Sequence, residues 1–148
     1  DKAAFDACQD IFASMGSSII YEGKAGCGQH TKMANQIALA GAIAGVCEAI
    51  AYAKNTGLDL QTMFDSISKG AAGSWQLSNN GANILKGNFN PGFFIKHFIK
   101  DLKIASEEGK AVSLDMNVVN DVLGMYVDLE KDGLGDLGTQ ALIKYYEK

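Results

Sequence analysis

Gly26-Cys27-Gly28-Gln29-His30-Thr31-Lys32-Met33-Ala34-Asn35-Gln36 stands at the head of an Ala/Gly-rich apolar run that extends to about Asn55. A helix opening near Gly28 puts Lys32 and Gln36 one turn apart on one face, with Asn35 beside them. Glycines at 26 and 28 remove side chains where a small molecule or another backbone could come close. The first turn of such a helix carries unpaired N–H groups and a partial positive charge, which suits a carboxylate or phosphate. A lysine in that turn opposes the dipole, and with burial the same field would favour its neutral form, the form a proton acceptor needs. The stretch therefore reads as a site for a small anion, with an amine set for proton transfer. Spacing alone leaves open a plainer alternative, a solvated lysine with capping or surface amides at Asn35 and Gln36.

Working outward, Gln29 to about Asn55 is expected to be one long helix with small residues at Ala34, Ala38, Gly41, Ala42, Gly45 and Ala49. Glycine in a helix interior costs about 1 kcal/mol relative to alanine. Gly41 and Gly45 therefore point to close helix–helix approach, within the chain or across a dimer. Ile37 to Ala53 is almost wholly apolar, but Glu48 interrupts it and it sits at the short limit for a bilayer span. A buried central helix is the better expectation. Asp59 should cap a helix over Leu60 to Ser68, closed by Gly70. Gly70 to Trp75 is a turn carrying the only tryptophan, a pocket wall or a core residue by its setting. Trp75 to Lys86 reads as a helix broken near Asn79-Asn80-Gly81, and Gly87 to Gly92 as a loop. Phe94 to about Lys110 follows as a helix with Phe94, Phe98, Leu102 and Ala105 inward. Asp115 should cap a helix to about Lys131 whose apolar stripe is Val118, Val119, Val122, Leu123, Tyr126 and Leu129. A last helix is expected over Leu137 to Tyr146.

Upstream, Ala3 to Met15 reads as a short helix ended by Gly16, and Ser18 to Tyr21 as a brief strand before Gly23. A lone strand makes no stable sheet, so residues 1–23 read as the edge of another domain, with the boundary at Gly23-Lys24-Ala25-Gly26. The chain has no initiator methionine and no basic-then-apolar leader, and is taken for a fragment of a longer protein.

Composition narrows the function classes. The chain has 148 residues, 47% hydrophobic and 20% charged, which marks a globular fold. A net charge of −4 gives no reason to expect nucleic acid or an anionic membrane as partner. Cys8, Cys27 and Cys47 are odd in number and lack C-x-x-C spacing, so reduced thiols in the cytoplasm are expected. His30 and His97 are isolated, and no metal site is expected. Gly23 to Gly28 has G-x-x-x-x-G spacing, but Gln29-His30 follow where a phosphate loop needs Lys and Ser or Thr. Gly26-x-Gly28 lacks the third glycine of a dinucleotide fingerprint. No Ser-His-Asp spacing supports a hydrolase.

Gly26, Gly28, Lys32 and Asn35 fit G-x-G-x-x-x-K-x-x-N, and Lys100-Asp101-Leu102 gives a K-D-L within a later helix. With these two motifs in order, nearly the whole chain resembles the C-terminal domain of the β-hydroxyacid dehydrogenases. That family includes 3-hydroxyisobutyrate dehydrogenase, 2-hydroxy-3-oxopropionate reductase and, more distantly, 6-phosphogluconate dehydrogenase. The resemblance implies an all-α fold of the 6-phosphogluconate-dehydrogenase-like type over residues 24–148. It also implies that residues 1–23 are a helix–strand remnant of a Rossmann domain. It implies NAD or NADP as cofactor, held mainly by a domain outside these residues, a small hydroxyacid as substrate, and a homodimer or tetramer. Lys32 would be the acid/base. Gly28, Asn35, Gln36 and Trp75 would bind substrate. Lys100 would reach the cofactor near its nicotinamide end, and Asp101 would support it. Asn35-Gln36 resembles the 2-hydroxy-3-oxopropionate reductases, where 3-hydroxyisobutyrate dehydrogenases usually carry Asn-Asn. The rival reading is a non-catalytic all-α module that self-associates through the glycine-faced helix. An imine-acting branch of the same fold tends to lack the lysine, and Lys32 argues against it.

Overall fold

The computed structural model describes all 148 residues. It opens with two short helices, α1 (Lys2–Ala7) and α2 (Gln9–Ala13). The single helix expected there is broken at Cys8, whose backbone leaves helical angles (φ −101°, ψ 10°). No strand forms at Ser18–Tyr21. A strand exists by pairing, and no neighbouring segment offers a ladder to these residues. The expected helix–strand remnant is thus a helix pair and an irregular segment.

The spine of the molecule is α3 (Cys27–Asn55). Its start is fixed by Gly26, whose φ of +94° lies in the left-handed region and turns the chain into the helix. On its far side lies α4 (Leu60–Ile67), where the Asp59 carboxylate accepts from the Thr62 N–H at 2.8 Å, as the sequence led one to expect. Next comes a π-helical segment (Gln76–Gly81), running into the single turn of α5 (Ala82–Leu85). It is followed by α6 (Ile95–Ala111) and α7 (Asn117–Lys131), and the chain finishes with a 3₁₀ segment (Thr139–Tyr145). Two expectations are corrected here. Helix α7 is preceded by Met116 with no side-chain cap, so Asp115 does not cap it. The last helix is 3₁₀, tied to the loop before α6 by an antiparallel bridge between Phe94 and Gly138.

α6, α7, the π segment and the 3₁₀ segment all pack on α3. Ala40, Ile43, Cys47 and Ile50 of α3 meet Phe98 and Leu102 of α6, Val122, Tyr126 and Leu129 of α7, and Leu142 and Ile143. Val118, expected in the α7 stripe, is exposed. By length and composition α3 could cross a membrane; in this fold one of its faces forms the core of the helical array. The Tyr126 hydroxyl donates to the Thr139 carbonyl at 2.8 Å, and its ring meets Phe98 edge-on. That contact joins α6, α7 and the 3₁₀ segment at one point behind the cleft described next.

Candidate active site

One face of α3 carries Lys32, Asn35, Gln36, Leu39 and Ile43 at the 3–4 spacing of a helix, and all five line a cleft of ≈ 800 Å³. Trp75, Gln76 and Asn80 of the π segment form a second wall. The 3₁₀ segment and the loop before α6 close it with Thr139, Gln140, Gly92 and Phe93, and Phe98 of α6 adds the floor. Its size is that of a small-molecule site.

The second wall depends on the π segment. Its wider turn takes up an extra residue, a feature that recurs at functional sites. Ser74 Oγ accepts from the Leu77 N–H and anchors the segment's first turn. The Asn80 amide donates to Gln76 Oε1 at 2.6 Å, so these two side chains hold each other. The loop wall is held by Gln140, whose amide donates to the carbonyls of Asn88 and Asn90.

At the head of the cleft, Asp101 gathers three donors although it is only 2% exposed. Its Oδ2 accepts from Lys32 Nζ at 2.7 Å and from Gln36 Nε2 at 2.8 Å. Its Oδ1 is 2.8 Å from Lys100 Nζ. Burial pushes this carboxyl up, but hydrogen bonds from Lys100, Lys32 and Gln36, with the Lys32 charge, outweigh burial and hold it below the usual carboxylate range. Asn35 Nδ2 donates to Gln36 Oε1 at 2.9 Å, extending the network along α3.

The structure therefore brings Lys32, Asn35, Gln36 and Trp75 to one cleft, with Asp101 directly behind Lys32. Lys100 reaches the other oxygen of Asp101 and lies outside the cleft wall. Gly28 is also apart from it: a methyl built there meets nothing within 4 Å, and no backbone approaches it. Lys32 is not buried. Its side chain is 56% exposed and its ammonium pairs with a carboxylate, where the sequence suggested a desolvated amine. The sequence reading missed Gln76, Asn80, Phe93, Thr139 and Gln140. Buried polar residues inside an apolar stretch, as in Thr139-Gln140-Ala141-Leu142-Ile143, were the available signal for the last two; nothing local marks Phe93.

This donor set fits the nicotinamide end of a dinucleotide and a small hydroxyacid: a cation and a carboxamide at the cleft head, a second cation behind them, and walls beyond that mix aromatic and aliphatic side chains with the amides of Gln76, Asn80 and Gln140. It provides no phosphate cradle. Lys32 can give or take a proton at one oxygen of a ligand while Asn35 offers a polar contact beside it.

The family described as NAD-binding of NADP-dependent 3-hydroxyisobutyrate dehydrogenase matches residues 26–146. An uncharacterised oxidoreductase of Bacillus subtilis, YkwC, is 48% identical over all 148 residues, which cover 51% of its length. A probable 3-hydroxyisobutyrate dehydrogenase-like protein of Arabidopsis thaliana is 38% identical over the whole chain, which covers 44% of that protein. A 3-hydroxyisobutyrate dehydrogenase of Mycobacterium tuberculosis, solved with L-serine, superposes with a TM-score of 0.91 at 25% identity, covering 100% of this chain and 53% of the other. The chain spans about half the length of the curated relatives it matches.

Proposed function

The chain belongs to the 3-hydroxyisobutyrate dehydrogenase (β-hydroxyacid dehydrogenase) family, and from that premise we propose that it is the all-α substrate domain of an NAD(P)-dependent enzyme. The full-length enzyme would interconvert a short hydroxyacid and its aldehyde or keto form. The observation that carries this reading is the Lys32–Asp101 pair at the head of the cleft. A family match beginning at residue 26 supports a boundary near Gly23, with residues 1–23 closing a preceding dinucleotide-binding domain.

Lys32 is the acid/base. In reduction its ammonium polarises the substrate carbonyl and delivers the proton to that oxygen; in oxidation the neutral amine takes the proton from the hydroxyl. Asp101 fixes where the ammonium sits. Asn35, Gln36 and Trp75, which all line the cleft, hold the substrate. Lys100, steadied by Asp101, faces the nicotinamide end of the cofactor. The nicotinamide, when bound, supplies the redox step. Leu39, Phe93 and Phe98 keep water from the reacting carbon.

Alone, these 148 residues would be inactive, because the dinucleotide fingerprint is not among them. The full-length protein would be a cytoplasmic homodimer or tetramer. Gly45 on α3, where an added methyl would meet nothing within 4 Å, is open to an approaching helix. The test is a panel of short hydroxyacids on the full-length protein with NAD and with NADP. Turnover of a β-hydroxyacid with either cofactor is the expected result. Binding of both without turnover would favour the non-catalytic module.

A further inference from the structure

Past its head the cleft runs on to a second set of polar side chains, and the packing fixes where they stand. Helices α3 and α6 run antiparallel: His30 lies beside Glu108 at 3.9 Å, and Asp101 meets Lys32 and Gln36. Phe98, one turn before Asp101, therefore lies farther along α3, toward Ile43. Phe98 meets Tyr126 edge-on, and Tyr126 holds the Thr139 carbonyl. The start of the 3₁₀ segment thus closes the deep end of the cleft. At 1.5 Å per residue, Ile43 is about 16 Å along α3 from Lys32. Gly81 packs against Val46 and sets the π segment against the same half of α3.

Three buried residues here each keep one polar atom that the protein itself does not use. Gln140 is 2% exposed, and its amide donates to the Asn88 and Asn90 carbonyls. Carbonyls only accept, so its NH₂ end faces them and Oε1 is left over. Thr139, 8% exposed, has its N–H on the Phe93 carbonyl and its own carbonyl on Tyr126, which leaves the hydroxyl. Gln76, 6% exposed, accepts from Asn80 through Oε1, which leaves its NH₂. No side-chain nitrogen or oxygen of the molecule is sealed from solvent without a partner, so these three atoms open onto the cleft that their residues line.

An acceptor, a hydroxyl and a donor, with no charge among them, complement a neutral hydroxyl. A carboxylate or ammonium would be stripped of water there with no opposite charge to meet it. The carboxamide of a nicotinamide has the same bonding pattern. Lys100 and the start of α3, where a dinucleotide-binding domain would join, both stand at the head, which leaves the deep end to the substrate. We propose that this deep end is a subsite for the substrate's tail, and that the enzyme's substrates are hydroxyacids with a further hydroxyl at the end away from the acid group.

This inference rests on the dehydrogenase reading, and its test separates the two. The full-length protein is assayed with acids of four, five and six carbons that end in CH₂OH, in CH₃ or in a second carboxylate. At one chain length or more, kcat/KM for the hydroxyl-ended acid should exceed that for the other two by about tenfold or more. Thr139→Val and Gln76→Met nearly keep side-chain size, and each should cut that preference by about fivefold or more. A merely structural role would lower the rate with every acid by one factor. Equal or better use of methyl-ended acids at every length, or a preference unchanged in both variants, would overturn the subsite. A second readout needs no turnover. In ¹⁵N-labelled full-length protein the Gln76 side-chain amide signal, identified by its loss in Gln76→Met, should shift when a hydroxyl-ended acid is added with oxidised cofactor. A shift with cofactor alone, or none with the acid, would overturn the subsite. Wild-type protein that turns over none of the acids sinks the dehydrogenase reading, and the amide signal then decides the subsite separately.

Discussion

Asp101 sits 69 positions from Lys32 in the chain and 2.7 Å from it in space, and one carboxylate holds Lys32, Gln36 and Lys100 together. Its folded-state pKa is depressed, so its stabilising contribution is present above the unfolded value, about 3.9, and is lost as pH falls below that. Asp101→Ala should cost about 2 kcal/mol, mostly from the buried Gln36 amide left without its acceptor. The two ammonium groups add little, since both lysine side chains are more than half exposed. Denaturant titrations at pH 7 and pH 3 check this: the difference between variant and wild type should shrink at the lower pH, and an equal difference at both would contradict it. The placing of Lys32, Asn35 and Gln36 on one face of α3 was legible from their helical spacing. The carboxylate's role as a shared acceptor was not legible, because it arises from α3 and α6 lying side by side, which no local spacing encodes.

At the scale of elements, the π segment is the part of the fold that shapes the cleft wall and the part that sequence patterning resolved least. Asn79-Asn80-Gly81 signalled a broken helix, but the local pattern does not say that the break widens into a π turn. The reason is packing. A Cβ at Gly81 would lie 3.2 Å from Phe64 and 3.4 Å from Val46 and Leu77, so an added methyl would make these side chains give by a few tenths of an ångström where the segment seats on α3 and α4. Gly81→Ala should therefore cost about 1–2 kcal/mol and displace Trp75 and Asn80. Urea unfolding with Trp75 fluorescence as probe reports both effects, and a neutral substitution with an unchanged spectrum would contradict the packing argument. The long helix α3, the Asp59 cap and the α6 core face were legible from period and capping. The strand expected at Ser18–Tyr21 does not form, since it depends on a partner that these residues do not provide.

Across the whole molecule, the core buries groups that must stay neutral. Burial, with the charges of Glu147 and Glu48, pushes the Cys47 thiol from an ordinary value near 9 up to about 12. Burial raises the Tyr126 and Tyr146 hydroxyls in the same direction. For a raised folded-state pKa the stabilising contribution is complete below the unfolded value and is lost as pH climbs toward the folded one. Stability should hold to about pH 9 and decline from there toward pH 12, with Cys47 resisting a thiol reagent that labels Cys8 and Cys27 until the fold opens. Rapid labelling of Cys47 at neutral pH would contradict the packed core. The helical array surrounds one cleft, and Lys32 is the lysine that lines it. The most direct measurement is steady-state kinetics of Lys32→Ala in the full-length protein with a turned-over hydroxyacid. The expected result is a kcat lowered by about two orders of magnitude or more with cofactor affinity largely unchanged; near-normal turnover would remove Lys32 from the chemistry.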